Sequence, residues 1–274
     1  MSPDTPSRTG FEVQDIQNEP DNRGIAIGKV GVSRLRYPLI WHESDGSSFT
    51  AQGEFRLSAS LDAHHRGTHM SRFVEQLHLL HHSLGLQQWY EFPCQLARVL
   101  NASRADAAVA FSLFREIAAP NTGKVGMQAV EVGLDAHWQS DGQHWLELEL
   151  ALPIATVCPC SREISERGAH NQRGLVTVRG RILPELIARV SLLQLIQRFE
   201  GCASVPLYPV LKRTDEKLVT EQGYDQAKFV EDVVRDVVLA ARDCRLYRSF
   251  RVEVENQESI HTHNAFAIVE EENA

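Results

Sequence analysis

The stretch His144-Trp-Leu-Glu-Leu-Glu-Leu-Ala-Leu-Pro-Ile-Ala-Thr-Val157 decides the fold class. Apolar and acidic residues alternate as far as Leu150, and the run then turns continuously apolar. That is the pattern of a strand passing from a half-solvated face into a core. Outward from it the period of two recurs: 24–41, 47–61, 126–134, 173–182, 248–254 and 265–269 read as strands between Gly, Pro and Ser breaks. Helical spacing takes over at 71–84, where Phe73, Leu77, Leu80 and Leu84 follow a Ser71 cap with Glu75 in the first turn. The Ala-rich 105–118, closed by Pro120, reads as a second helix, 184–199 as a third behind Pro184, and 229–241 as a fourth. The order is β-β-α-α-β-β twice, without residue-level repetition, which predicts an α+β, largely antiparallel architecture.

The chain has 274 residues, of which 43% are hydrophobic and 23% charged. These are globular proportions, with length for about two domains. No run approaches the ~18 apolar residues of a membrane span, and the mean hydropathy is −0.27. Residues 1–23 are rich in Pro, Asp, Asn and Ser and read as a flexible leader without the apolar segment of a secretory signal. The expected location is therefore cytoplasmic. With 28 basic against 36 acidic residues the net charge is −8, which argues against a nucleic-acid binder and leaves room for an anionic small molecule held by a few local cations. Of the five cysteines only Cys158 and Cys160 cluster, so metal binding or catalysis is favoured over a disulfide framework. The Gly-rich nucleotide fingerprints and the nucleophile elbow are missing from the sequence.

Four motifs carry chemistry. Cys158-Pro-Cys-Ser-Arg-Glu-Ile-Ser165 is followed by Gly168-Ala-His-Asn-Gln-Arg173. Two thiols one residue apart at a strand end project to the same side. They can share one ion, or one can bind while the other reacts, and His170 adds a nitrogen donor suited to zinc or a similar divalent ion. The plainer alternative is a pair of buried thiols and a surface histidine. In Glu258-Ser-Ile-His-Thr-His263, His261 and His263 share a face of a strand with Glu258 in reach. The charged run Lys212-Arg-Thr-Asp-Glu-Lys217, before a helix, reads by itself as solvated surface. The turn His64-His-Arg-Gly-Thr-His-Met-Ser-Arg72 runs into a helix N-terminus, which suits an anion, or is simply a polar loop. His78, His81 and His82 read as structural.

Together with Asp15-Ile-Gln17 and Phe229-Val-Glu-Asp232, these motifs resemble the GTP cyclohydrolase IB family, over nearly the whole chain apart from the leader. The resemblance implies a bimodular tunnelling fold (T-fold), with antiparallel sheets carrying helix pairs on one face, modules at 24–157 and 158–274, and assembly into barrels. It implies a homotetramer with active sites at subunit interfaces, acting on GTP and not on nucleic acid or membranes. The implied reaction is GTP and water to 7,8-dihydroneopterin triphosphate and formate, the entry to folate and queuosine-type biosynthesis. A divalent metal (zinc, manganese or iron(II)) and no organic cofactor are expected. By resemblance the ligands are one of the paired thiols, with Cys158 favoured, together with His170, Glu216 and His261. Cys160 lies beside the reacting centre, and Glu258 and His263 orient or exchange protons. Glu231 anchors the guanine edge, and Arg66, His69, Arg72, Arg173, Lys212 and Arg213 are the expected triphosphate contacts. A tunnelling-fold nitrile reductase and a non-catalytic metal- or nucleotide-binding protein are the rival readings.

Overall fold

The computed structural model of the chain describes residue 17 and residues 19–272. The alternation at 144–157 is realised as part of one eight-stranded antiparallel sheet whose strands lie in sequence order. They are β1 (Ile27–His42), β2 (Ser48–Leu61), β3 (Arg104–Ala118), β4 (Val125–Gln139), β5 (His144–Val157), β6 (Asn171–Ile182), β7 (Tyr247–Gln257) and β8 (Asn264–Glu272). Odd-numbered strands run one way and even-numbered strands the other. Within β5 the period of two sends Leu146, Leu148, Leu150, Leu152 and Ile154 into the core. Glu147 and Glu149 point to the opposite face, where Arg179 of β6 pairs with both and with Asp135 of β4.

The helices are α1 (Met70–Leu80), α2 (Leu86–Leu100), α3 (Pro159–Ile164), α4 (Leu192–Glu200), α5 (Arg213–Asp225) and α6 (Val230–Cys244). Four of them cover the apolar face: α1 on β1, α2 on β2 to β4, α4 on β5, and α6 on β7 and β8. Trp89 of α2 stacks on Phe92 at 5.4 Å between centroids and meets Phe55 of β2 edge-on at 5.8 Å. Val233 and Val237 of α6 and Val252 and Val254 of β7 are completely buried. Each such side chain contributes about 1.5–3 kcal/mol relative to exposure, and this fixes the helices to the sheet. No helix among the described residues is long and apolar enough to cross a membrane.

The expected fold class needs correction. In place of a bimodular tunnelling fold built from antiparallel sheets, the described residues form a single eight-stranded antiparallel sheet with helices. The physical reason lies at the joint between the two halves, strands β5 and β6. The apolar alternation of Leu148, Leu150, Leu152 and Ile154 on β5 is matched by Val176, Val178 and Ile182 on β6. The two strands pair from Glu147↔Arg181 to Val157↔Asn171, so the two halves share a single layer.

Local assignments change too. Residues 105–118 form strand β3, because Ala105, Ala107, Val109, Phe111 and Leu113 alternate into the core. The expected helix at 184–199 is a 3₁₀ turn (Pro184–Arg189) followed by α4, which Ser191 caps by accepting from the Gln194 N–H at 3.3 Å. Helix α1 starts behind His69 and not Ser71, with no side-chain cap bond. Of the expected leader, residues 1–16 and 18, including Asp15, lie outside the described residues. Its described end is tied down: the Asp21 N–H donates to the His64 carbonyl at 2.9 Å, and Pro20 bridges His65, which joins it to the β2–α1 loop.

Candidate active site

Strand register brings the motifs to one end of the sheet. Val157, at the end of β5, pairs with Asn171 of β6; Arg173 of β6 pairs with Gln257 of β7, and Gln257 with Asn264 of β8. The segments 158–170 and 258–263 therefore emerge side by side. Cys158 is the N-cap of α3, with Pro159 in the first turn, where its missing N–H costs nothing. The two thiols thus sit on a helix start and not on a strand, and the same-side argument from strand period fails. Cys158 is half-buried and Cys160 is exposed.

Ser161 latches this segment. Its hydroxyl donates to the Cys158 carbonyl at 3.1 Å and accepts from the His170 N–H at 3.1 Å, while the Cys158 N–H donates to the His170 carbonyl at 3.0 Å. Side-chain contacts then reach the β7–β8 loop: Ser259 Oγ lies 3.4 Å from His170 Nδ1, and Gln172 Nε2 donates to Glu258 Oε1 at 3.4 Å. Beneath, the fully buried Asn256 donates through Nδ2 to Thr156 Oγ1 at 3.2 Å. His261 and His263 are exposed in the loop before β8, not on a strand, with their rings stacked at 5.1 Å.

Beside these residues opens a cavity of about 640 Å³, lined by Gln172, Arg173, Tyr208, Thr220, Tyr224 and Gln257 among others. Ligand sites typically occupy ~300–1,000 Å³. Burial pushes the Tyr208 hydroxyl above its usual range, and Glu200 adds to the effect. Helix α5 forms one wall. Gly223 sits against Val157 and Val205, and Arg162 of α3 donates to the Tyr224 and Asp225 carbonyls at 2.7 and 3.2 Å. Lys212, Arg213 and Glu216 are exposed at the start of α5. Glu231 is exposed in the first turn of α6, just after Lys228, whose N–H donates to the Val157 carbonyl at 3.0 Å.

Three of the expected triphosphate contacts are elsewhere. The loop after β2 leaves from the opposite end of the sheet, since Leu61 pairs with Ile27 at the start of β1. There Arg66 is ion-paired with Glu19, His69 is the N-cap of α1, and Arg72 Nη1 donates to the Val99 carbonyl at 3.4 Å. One copy of the chain does not bring them to Cys158.

For a divalent ion the donor chemistry is suitable: a thiol and an imidazole lie at adjoining strand ends, with a carboxylate and a second imidazole on neighbouring segments. Among the described residues, however, no three His, Cys, Asp or Glu groups come together as a metal cluster. Cys158 and His170 are bonded through their backbones, and Glu216 and His261 are not gathered with them into a cluster. Sequence reasoning passed over Ser161, Gln172, Ser259 and above all Asp215, whose charged surroundings read as surface although the side chain is completely buried.

Residues 13–267 match the family model described as type I GTP cyclohydrolase folE2. The chain is 42% identical over 258 residues to GTP cyclohydrolase FolE2 of Desulfosudis oleivorans, covering 94% of this chain and 97% of that one. It is 39% identical over 260 residues to GTP cyclohydrolase FolE2 of Akkermansia muciniphila, with the same coverage. Among solved structures it is similar to uricase from Arthrobacter globiformis, with a TM-score of 0.53 at 6% identity over 90% of this chain and 94% of that one. At that identity the likeness concerns the fold alone. By its sequence along almost its entire length, the chain belongs to the type I GTP cyclohydrolase folE2 family.

Proposed function

We propose that the chain converts GTP and water to 7,8-dihydroneopterin triphosphate and formate at the end of the sheet that carries Cys158 and His170. GTP cyclohydrolase activity, with GTP as substrate, follows from the family. The type IB assignment is a finer proposal, supported by the CPCS and GAHNQR motifs. The observation that carries the choice of site is the convergence of the 158–170 and 258–263 segments beside a cavity of about 640 Å³.

The reaction requires water to attack C8 of guanine twice, opening the imidazole ring and releasing formate; the ribose chain then rearranges and condenses with the freed amine with loss of one water, so that one water is consumed overall. A bound divalent ion supplies a water acidified from a pKa of ~15.7 towards ~7. Zinc, manganese and iron(II) all suit a mixed sulfur, nitrogen and oxygen site, and no organic cofactor is assigned. Cys158, His170, Glu216 and His261 are the residues proposed to hold the ion. Cys160 stands beside the reacting carbon, and Glu258 and His263 hold and pass protons there. The Glu231 carboxylate accepts from N1–H and the exocyclic amine of guanine, a bidentate geometry that fixes the purine edge. Arg173, Lys212 and Arg213 meet the triphosphate. Arg66, His69 and Arg72 do so from another copy, because they lie at the opposite end of their own sheet. That placement supports sites shared between copies; the homotetramer and the cytoplasmic location are proposed on the resemblance of the motifs.

The test is to strip the purified protein of metal, add back zinc, manganese or iron(II) separately with GTP, and assay formate together with neopterin fluorescence after oxidation and dephosphorylation. Metal-dependent appearance of both products is expected. Neither product from folded protein with any of the metals would overturn the proposal.

A further inference from the structure

Helix α5 is a polar element with little holding it to the body: Asp215 and Gly223 are its buried residues. At its C-terminal end the attachment is Gly223 on Val157 and Val205, with Arg162 on the last carbonyls. At its start the attachment is one carboxylate. Asp215 Oδ1 accepts from the N–H groups of Asn121 and Thr122 at 2.9 and 2.8 Å, and Oδ2 accepts from Thr122 Oγ1 at 2.6 Å and the Lys212 N–H at 2.9 Å. Every donor but the last comes from the β3–β4 turn. That turn is itself fixed, since Ala118 pairs with Val125 and the Ala119 N–H donates to the Lys124 carbonyl at 2.8 Å.

A buried carboxylate is a costly way to dock a helix unless its hydrogen bonds are complete, and an apolar contact would dock it as firmly. What four directed bonds add is geometry: rotation or sliding of the first turn breaks them. The residue next to Asp215 is Glu216, and the Glu216 N–H donates to the Lys212 carbonyl at 2.8 Å inside the same clamp.

We propose that Asp215, through Thr122 of the β3–β4 turn, is a positioning residue that sets where the Glu216 carboxylate stands relative to Cys158 and His170. The inference rests on the reading of Glu216 as a metal ligand given above. It also assigns a function to a turn 93 residues away in sequence that no motif marks.

Thr122→Val removes one donor from an exposed turn, Thr122→Ser keeps it, Asp215→Asn disrupts the clamp, and Glu216→Gln tests the underlying reading. Each variant is checked for native circular dichroism, and zinc affinity of the metal-stripped protein is measured by equilibrium dialysis alongside kcat and KM. Residues that support a metal ligand typically cost ~10–100-fold in affinity or activity. Thr122→Val is therefore expected to lose about 10-fold in zinc affinity and kcat with KM for GTP unchanged, Thr122→Ser to recover both, and Asp215→Asn to lose ~100-fold. If Glu216→Gln is crippled in zinc affinity while folded Thr122→Val equals wild type, the positioning role is wrong. If Glu216→Gln itself binds zinc and turns over normally, the ligand reading beneath it is wrong. A Thr122→Ser variant as impaired as Thr122→Val would show that turn packing, and not the hydrogen bond, matters, and would also overturn the proposal.

Discussion

The N–H of Cys158 donates to the carbonyl of His170 at 3.0 Å, so the residues that open and close the excursion between β5 and β6 are bound to each other. This backbone bond holds a half-buried thiol and a half-buried imidazole at the same strand ends. Preorganisation of this kind reduces the ordering that binding must impose.

Cys158→Ser and His170→Ala should each reduce kcat/KM by more than the ~100-fold typical of residues that only support a ligand, with bound metal falling in parallel. A hybrid of Cys158→Ser and Arg66→Ala copies should regain part of the activity, because an interfacial site can draw its intact halves from two subunits. Normal metal content in both single variants would refute the ligand assignment. A hybrid as inactive as its parents would refute the shared site.

Glu231→Gln should raise KM for GTP ~10–100-fold, the equivalent of losing a charge-assisted hydrogen bond worth about 1.5–3 kcal/mol, and leave metal content untouched. Direct binding of a non-hydrolysable GTP analogue to the metal-loaded protein measures this. A variant that loses metal and keeps nucleotide affinity would reverse the assignment.

The thiols should separate in reactivity. Cys160 is exposed, whereas burial, with Asp236 adding to it, pushes the Cys202 thiol up to about 11. Burial likewise raises Cys244. At pH 8 the Cys202 thiol, at about 11, is ionised only about one part in a thousand. Brief alkylation followed by peptide mass mapping should label Cys160 first, and Cys202 only after unfolding. Equal labelling of the two in the native protein would contradict this.

Acid should release the α5 clamp. Burial pushes the Asp215 carboxyl up, but the Thr122 hydroxyl and the backbone N–H groups of Lys212, Thr122 and Asn121 outweigh it and hold it at about 2. An unfolded Asp titrates near ~3.9. The group is therefore depressed in the folded state, and its contribution to stability is complete above about pH 4 and disappears as the pH falls through about 2. The difference in urea midpoint between wild type and Asp215→Asn should be constant near neutrality and narrow across that acidic window. A difference that stays the same to the lowest pH would mean that the carboxylate charge plays no part.

The strands were readable because Glu, Arg and Thr alternate visibly with Leu and Val, as at 144–157. Strand β3 was not, because its alanines suggest a helix. The same alanines sit on one face with Val109, Phe111 and Leu113, and intrinsic propensity yields to that pairing. Helix α2 escaped notice because Pro93 interrupts its middle, although Trp89, Phe92, Leu96 and Ala97 follow helical spacing. For the site, motif recognition supplied Cys158, His170 and Glu258. It could not supply their relation to Gln172 and Ser259, which depends on register between β5, β6 and β7. Nor could it separate Asp215 from its solvated neighbours, since its partners lie in a distant turn.

The sequence order of the sheet has a consequence for synthesis. Every strand pairs with its neighbour in sequence, so a chain emerging at ~5–20 residues per second can lengthen the sheet in order, with pauses at β3 and β7, which follow the helical segments 62–103 and 183–246. The β7–β8 hairpin, with 258–263 at its tip, comes last. Until it forms, β6 is an unprotected edge and His170 lacks its neighbour Ser259. A chain in which β7 and β8 have not yet formed would therefore be an aggregation hazard, and its 158–170 segment would lack the neighbour it has in the folded sheet.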